Sequence, residues 1–426
     1  MRTNLFVAAL LLMTSATGRA QSGTNSPYSQ YGLGILSDQT SGFNRGMDGL
    51  GLAFHEGDQV NFVNPASYAA MDSLTFIFDV GASGQITNFS ENGHKVNAHN
   101  SDFEYAVAGF RVIPHLGMSF GILPFTNVGY DYSSTHQLSS SSTYTNTYHG
   151  SGGIHQVYLG AGWEPLPHLS VGANISYLWG EYSRSVVNSY SESGVRSLSR
   201  YYNGNVHLWK VDLGAQYTHR ISKKDLLTIG VTYTPGQDKG ADGALEVVSS
   251  GTVADTARYE LPDAYKIPMA FGAGVMLNHD ERLKVGVDVT LQKWGSLDYP
   301  VYSSQGDKGA YVLRGGIYKD RTKATLGCEY TPDKNALNFL KRVHYRVGAS
   351  YATPYYRVNG QDGPKEFSVS AGFGIPIMNS WNNRSLLNIS GQWVRRAATG
   401  LLTENTFRIN IGLTFNERWF AKWRVK

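Results

Sequence analysis

Four stretches of this chain alternate apolar and polar residues over about ten positions each, the length a tilted strand needs to cross a bilayer. In the first, Leu283, Val285, Val287, Val289 and Leu291 face one way and Lys284, Gly286, Asp288, Thr290 and Gln292 the other. Val343, Tyr345, Val347, Ala349 and Tyr351 oppose His344, Arg346, Gly348 and Ser350. Phe367, Val369, Ala371, Phe373 and Ile375 oppose Ser368, Ser370, Gly372 and Gly374. Phe407, Ile409, Ile411, Leu413 and Phe415 oppose Arg408, Asn410, Gly412 and Thr414. Period two is the signature of a β-strand, whose successive side chains point to opposite faces. A soluble sandwich would alternate too, with its apolar face inward.

Composition separates the two. Charged residues make up 16% of the chain, against about 25% in a soluble domain, yet mean hydropathy is only −0.28. Few charges without net hydrophobicity means alternation along strands, not apolar blocks, the pattern of a transmembrane β-barrel. Gly recurs on the polar faces, as expected where strands curve around a lumen. Trp163, Tyr177, Trp179, Tyr233, Tyr330, Tyr351 and Trp393 fall near strand ends, where interfacial girdles belong. No stretch after the start is apolar for long enough to make a transmembrane helix.

Residues 1–20 read as a signal peptide, with Arg2 leading, LFVAALLLM as the apolar core and Gly18-Arg19-Ala20 as the cleavage site. With Arg2 and Arg19 gone, 35 basic residues face 33 acidic ones, which gives no reason to expect a nucleic-acid partner. The single Cys328 rules out an intramolecular disulfide.

Turn chemistry sets the strand count. Short connections at Pro114-His115, Pro165-Leu166-Pro167, Ser222-Lys223-Lys224 and Asn278-His279-Asp280 alternate with long ones at 87–101, 133–150, 188–203, about 237–266, 293–319, 353–364 and 397–404. Short periplasmic turns alternating with long outer loops are the outer-membrane pattern. The parse gives about fourteen strands, an even number, with 237–266 ambiguous. The fold expected is all-β: a transmembrane antiparallel barrel with an N-terminal plug in its lumen. It divides into a leader (1–20), an N-terminal extension and plug (21–72), the barrel (73–416) and a cationic periplasmic tail (417–426).

The plug is the stretch Arg45 to Asp72, which is rich in Gly and small residues and has neither helical nor strand period. Irregular backbone at membrane depth survives only inside protein or beside water, which places this stretch in the lumen. Within it, Pro65 fixes its own φ and biases Asn64 away from helix, while the Asn64 side chain can satisfy nearby backbone groups. The order Gly51-x-Ala53, then Val60-x-x-Val63-Asn64-Pro65-Ala66, then a strand, resembles the FadL-type family of outer-membrane long-chain fatty acid transporters. SPYSQYGLG, YRVGASYATPYYRVNG and LTFNERWF look like its divergent Bacteroidetes-type branch. The resemblance implies a fourteen-stranded barrel filled by a hatch, with Asn64, Pro65 and Ala66 in the gate for a hydrophobic ligand. It carries over no substrate-binding residues.

Catalytic chemistry is not expected. Gly117-Met118-Ser119-Phe120-Gly121 fits G-x-S-x-G, but a nucleophile elbow needs a strand-to-helix turn and this run alternates as a strand. His94 and His99, read as loop residues, lack further ligands for a metal, and no cofactor motif stands in a usable context. Asp102 and Glu104 share a face at a strand start and read as a solvated or loop-pinning pair. Inward charges such as Lys284, Asp288, Arg346 and Arg408 are expected to pair across the lumen or to contact the plug. The function expected is passage of hydrophobic small molecules across a Gram-negative outer membrane, the partners being membrane lipids and the ligand. The alternative is a non-conducting barrel subunit of an outer-membrane secretion or assembly complex, motivated by the uncharged, Tyr-rich loops 133–150 and 188–203 and by the basic tail.

Overall fold

The computed structural model describes residues 23–140, 142–192, 194–250, 255–305, 308–377 and 385–417. The leader and the tail beyond Glu417 lie outside them. A two-residue strand, β1 (Ile35–Leu36), stands in the N-terminal segment. The wall opens with β2 (Phe76–Glu91), β3 (His94–Ile113), β4 (Leu116–Gln137) and β5 (Thr143–Leu166). It continues through β6 (Leu169–Tyr190), β7 (Ser197–Arg220) and β8 (Asp225–Thr234). An outer hairpin, β9 (Ala241–Ser250) and β10 (Asp255–Tyr265), precedes β11 (Ala270–His279) and β12 (Leu283–Gln292). A second hairpin, β13 (Tyr299–Gln305) and β14 (Lys308–Arg314), precedes β15 (Arg321–Tyr330) and β16 (His344–Ala352). The bridge pair β17 (Arg357–Val358) and β18 (Gln361–Asp362) leads to β19 (Lys365–Ile377), β20 (Ser385–Ala397) and β21 (Thr403–Glu417).

Fourteen of these strands form one closed antiparallel ring, in the order β2 to β8, β11, β12, β15, β16, β19, β20, β21. Closure is made by β2 against β21, from Phe76↔Glu417 to Ser90↔Thr403. The short connections after β3, β5, β7 and β11 all fall at the end where β2 begins, as the turn chemistry requires.

Which way the alternating faces point decides the environment. Val287 is 47% exposed on the outside, as are Val347 at 55% and Ile411 at 51%, while Lys284, Asp288, Arg346 and Asn410 are buried inside. An inverted pattern of this kind, apolar out and polar in, is that of a barrel in lipid and excludes the sandwich. Outward aromatics pair along the rims, with Tyr233 against Phe271 at 5.2 Å and Phe367 against Trp393 at 6.0 Å.

Three stretches expected to be loops are strand instead. Residues 94–101 and 87–91 extend β3 and β2, and the Ser/Thr/Tyr-rich runs 143–150 and 197–203 continue β5 and β7. His94 and His99 therefore lie on a strand. The cause is cross-strand pairing of residues with high β propensity: Tyr144 stands opposite Tyr190, Thr147 opposite Val187, and the upper part of β7 pairs with β9. The ambiguous stretch 237–266 is the β9–β10 hairpin. One side of the barrel thus rises well past the lipid band.

This height makes a prediction. Val287→Arg, in mid-band, should lower folding stability in bilayers by about 2–4 kcal/mol. Thr147→Arg, also on an outward face but on the raised wall, should stay within about 0.5 kcal/mol of the parent. Equilibrium folding into lipid vesicles with a denaturant series reads both.

Candidate functional site: a lumen filled by the N-terminal segment

Residues 40–72 run through the centre of the ring, and nearly all of their side chains are buried. The wall is cut away to receive them. Gly117, Gly162, Gly172 and Gly214 stand side by side across β4 to β7 in direct register, and all face inward. A methyl group at Gly117 would overlap the Tyr68 carbonyl, and one at Gly162 the Pro65 carbonyl and the Ala69 nitrogen. At Gly172 it would meet Pro65 and Ala66, and at Gly214 the Asn64 side chain. The lumenal backbone therefore lies directly on the backbone of the wall. The same holds across the ring, where Gly230 receives Leu52 and Gly348 receives Met47.

Asn64 and Pro65 start a 3₁₀ helix, Pro65–Ala70. Asn64 is its N-cap, its Oδ1 accepting from the Ala66 N–H at 3.1 Å. Its Nδ2 donates to the Leu52 carbonyl at 2.8 Å, with the Ala215 and Val231 carbonyls at 3.3 and 3.4 Å. Asn61 donates to the Gly51 carbonyl at 2.7 Å. The two halves of the sequence motif, around Gly51 and around Asn64, are thus bonded to each other and to the wall. Asp288 completes the frame by accepting from the Gly51 and Leu52 N–H groups at 2.7 and 2.8 Å.

Ion pairs fix the segment at other points. Arg45 meets Glu104 at 2.8 Å, so Asp102 and Glu104 point into the lumen and Glu104 pins the segment instead of facing solvent at a rim. Lys284 bridges Glu56 at 2.8 Å and Glu329 at 2.9 Å, and Arg346 binds Glu329 at 2.7 Å. Arg408 reaches Asp38 at 3.0 Å. The inward charges act as the alternation implied. Ser119, the serine of the G-x-S-x-G run, donates to the Ala108 carbonyl within β-structure and has no helix after it.

Above the seat, residues 24–39 form a strap that sequence reasoning missed. Tyr28 and Leu33 are buried in a vestibule walled by Tyr130, Tyr182, Trp294, Tyr318, Tyr355 and Tyr356. Trp294 packs on Tyr355 at 4.8 Å, and Tyr31 stacks on Tyr356 at 5.3 Å. The Tyr355 hydroxyl donates to the Gly34 carbonyl. The available signal was Tyr28 and Tyr31 in an otherwise polar, glycine-rich run.

The strap also covers a break in the wall. β3 and β4 pair only from Ile113↔Leu116 up to Ala106↔Ile122, with β3 bulged at Glu104 and β4 at Phe125. Beyond that point β1 takes β3's place on the β4 edge, with Ile35↔Asn127 and Leu36↔Thr126, and the Ser37 N–H donates to the Phe125 carbonyl at 3.0 Å. Asn127 and Asp102 bridge the gap at 2.8 Å. On the outer surface below the break lies an apolar groove lined by Phe76, Phe78, Phe120, Ile122 and Val157. Inside, strap and wall enclose a polar chamber of about 210 Å³ that includes Asp38, Lys323, Arg396 and Arg408. Burial raises the Asp38 pKa, but Lys323, Arg408 and Arg45 outweigh that and hold it well below the usual carboxylate range.

A ring of fourteen strands around a built-in N-terminal filling defines the class: a hatch-containing barrel with the FadL-type fold. Solved structures of 12–15% identity share the barrel fold. The Pseudomonas putida toluene transporter TodX superposes with a TM-score of 0.60 at 14% identity, over 92% of this chain and 100% of its own. The Ralstonia pickettii toluene transporter TbuX gives 0.60 at 15%, over 88% and 98%. A Pseudomonas aeruginosa FadL homologue gives 0.60 at 12%, over 90% and 99%. Comparison with curated proteins finds no match. The chain belongs to the BamG family, whose model matches residues 1–426.

Two outcomes test the packing. Gly172→Leu must displace Pro65 or strain β6, and overpacking of this kind costs about 1–3 kcal/mol. Maleimide labelling of Ala66→Cys, in a Cys328→Ser background, should therefore speed up by about tenfold or more when Gly172→Leu is added. For the strap, a carboxylate with a depressed pKa contributes fully above about pH 4 and is lost only as pH falls through its folded value. Labelling of Leu36→Cys, divided at each pH by the rate for the unfolded protein to remove the thiol's own titration, should then be flat from about pH 5 to 8, and Asp38→Asn should raise it throughout.

Proposed function

We propose that this protein is an outer-membrane barrel that passes hydrophobic small molecules, of fatty-acid or aromatic-hydrocarbon type, by a route gated by its N-terminal segment. The observation that carries the reading is the strap, a single removable element that fills an aromatic vestibule and caps the wall break beside it. An apolar ligand entering from outside would compete with Tyr28 and Leu33 for the vestibule. Strap withdrawal would bare the β4 edge and open a lateral path to the apolar groove and the lipid. The domain division is then functional: 24–39 a strap, 40–72 a plug whose Asn64-Pro65-Ala66 seat sets how far it moves, and 73–416 the wall. The toluene transporters of the same fold support this direction of reading. So does the resemblance to the Bacteroidetes-type branch.

The test is a lock. Leu36 and Thr126 are direct partners on adjacent antiparallel strands, within the Cα spacing a disulfide accepts. In a deletion strain, Leu36→Cys/Thr126→Cys should reduce uptake of labelled toluene or long-chain fatty acid to the deletion level. Reductant should restore it, and Asn64→Ala should alter it. Equal uptake with and without the protein sinks the reading.

A second reading has its own observation. The lumen is filled from residue 24 to residue 72, with the segment held by buried ion pairs, as suits a non-conducting subunit of an outer-membrane assembly or secretion complex. The raised, nearly uncharged wall from β4 to β7 would then be the docking face. Mild-detergent purification should recover stoichiometric partners in that case. The barrel alone should be recovered if transport is its work.

A further inference from the structure

The connection between β15 and β16, residues 331–343, is long for the inward end of such a barrel, and it does not fold toward the lumen. A single helical turn, Phe339–Arg342, is capped by Asn338, whose Oδ1 accepts from the Leu340 N–H at 3.0 Å. The Leu340 carbonyl accepts from the Tyr345 hydroxyl at 3.0 Å. Tyr345 belongs to the outward face of β16 and packs edge-on against Phe373, a lipid-facing residue of β19, at 5.8 Å. The connection is therefore tied to the outside of the wall, at the rim of the apolar band.

Its side chains fit that position. Leu337 is fully exposed, Leu340 is 62% exposed and Phe339 46% exposed. Three large apolar residues left in water within four consecutive positions would be costly, and a cluster contiguous with a lipid-facing belt has an obvious solvent. Around them stand the exposed Lys334 and Lys341 against the one acid of the segment, Asp333. Lys334 has only a long contact to Glu281, at 4.0 Å. Apolar residues beneath flanking cations are the arrangement of an interfacial anchor, with the cations at phosphate depth.

We propose that residues 334–342 form a foot in the inner leaflet of the membrane, where Leu337, Phe339 and Leu340 enter the acyl region and Lys334 and Lys341 bind the phosphate of an anionic phospholipid. The foot rests on the reading of the chain as a membrane barrel and is independent of whether anything is transported. It would give the barrel a preferred lipid on one side of its circumference and fix its depth and tilt there.

The experiment places an environment-sensitive fluorophore on Leu337→Cys, in a Cys328→Ser background, with the full barrel in nanodiscs of phosphatidylethanolamine and phosphatidylglycerol. A blue-shifted emission quenched by shallow doxyl-labelled lipid and protected from aqueous iodide is the expected result. Replacing Lys334 and Lys341 by Gln should weaken retention of phosphatidylglycerol in native mass spectrometry, by about fivefold for each charge. Heat-modifiable migration on gels confirms that each variant is folded. A label open to iodide and indifferent to doxyl lipid in the folded barrel overturns the proposal. Protection that appears only with a co-purified protein overturns it too, and makes the foot a protein-docking site.

Discussion

Everything in this barrel depends on how closely two backbones can approach. A ring of fourteen strands leaves a lumen too narrow to hold both wall side chains and a thirty-residue segment with side chains of its own. The row Gly117, Gly162, Gly172 and Gly214 removes one layer from the wall, and Pro65, Ala66 and Ala69 remove much of the other from the segment. With both layers thin, the polar groups of an irregular chain come within reach of the wall, and the caps made by Asn64, Asn61 and Asp288 follow. The glycines are required here by close approach, which is a stronger reason than strand curvature.

The charges then have a clear division of labour. Burying a lone ion at membrane depth is prohibitive, so each lumenal charge must meet an opposite one or, like Asp288, a pair of backbone N–H donors. Arg346, Glu329, Lys284 and Glu56 form a continuous chain from wall to segment, and Arg45 with Glu104 forms a second contact on the far side. Removing one partner would leave the other stranded, which makes these pairs specific for one seating of the segment. The strap is held differently. Its aromatic contacts are extensive, but its ionic hold is concentrated at Asp38, in a chamber lined by Lys323, Arg396 and Arg408. Segment 40–72 is thus held by buried ion pairs and the strap mainly by aromatic contacts, and the break between β3 and β4 lies beside the strap.

The vestibule and the break are linked because the same few residues serve both. Gly34 lies under Tyr355, and Ile35 and Leu36 lie on the β4 edge next to it in sequence. Withdrawal of one contact must disturb the other. An exposed strand edge is a liability in any sheet, and β1 covers this one with two residues of pairing.

The barrel was legible in the sequence because lipid imposes a one-dimensional rule. An outward position must be apolar and an inward one polar, so Leu283 to Gln292 announces its faces residue by residue, and the strand count follows from the turns. The motif around Asn64 was legible as an irregular, proline-started element that belongs inside. Strands 116–132 and 169–187 were already legible as longer than the membrane, but the full height of the raised walls was not, because once a strand leaves the lipid the rule lapses, and Tyr144 to Gly150 resembles any solvated loop until its partners at Asn188 and Tyr190 are known. The strap, the glycine seat and the break at Ala106 and Ile122 were beyond reach for a related reason. Each depends on which residues from distant parts of the chain come to the same height around the ring. Local alternation determined that this chain makes a barrel and which way its faces point; only closure of the ring decided what fills it and where its wall parts.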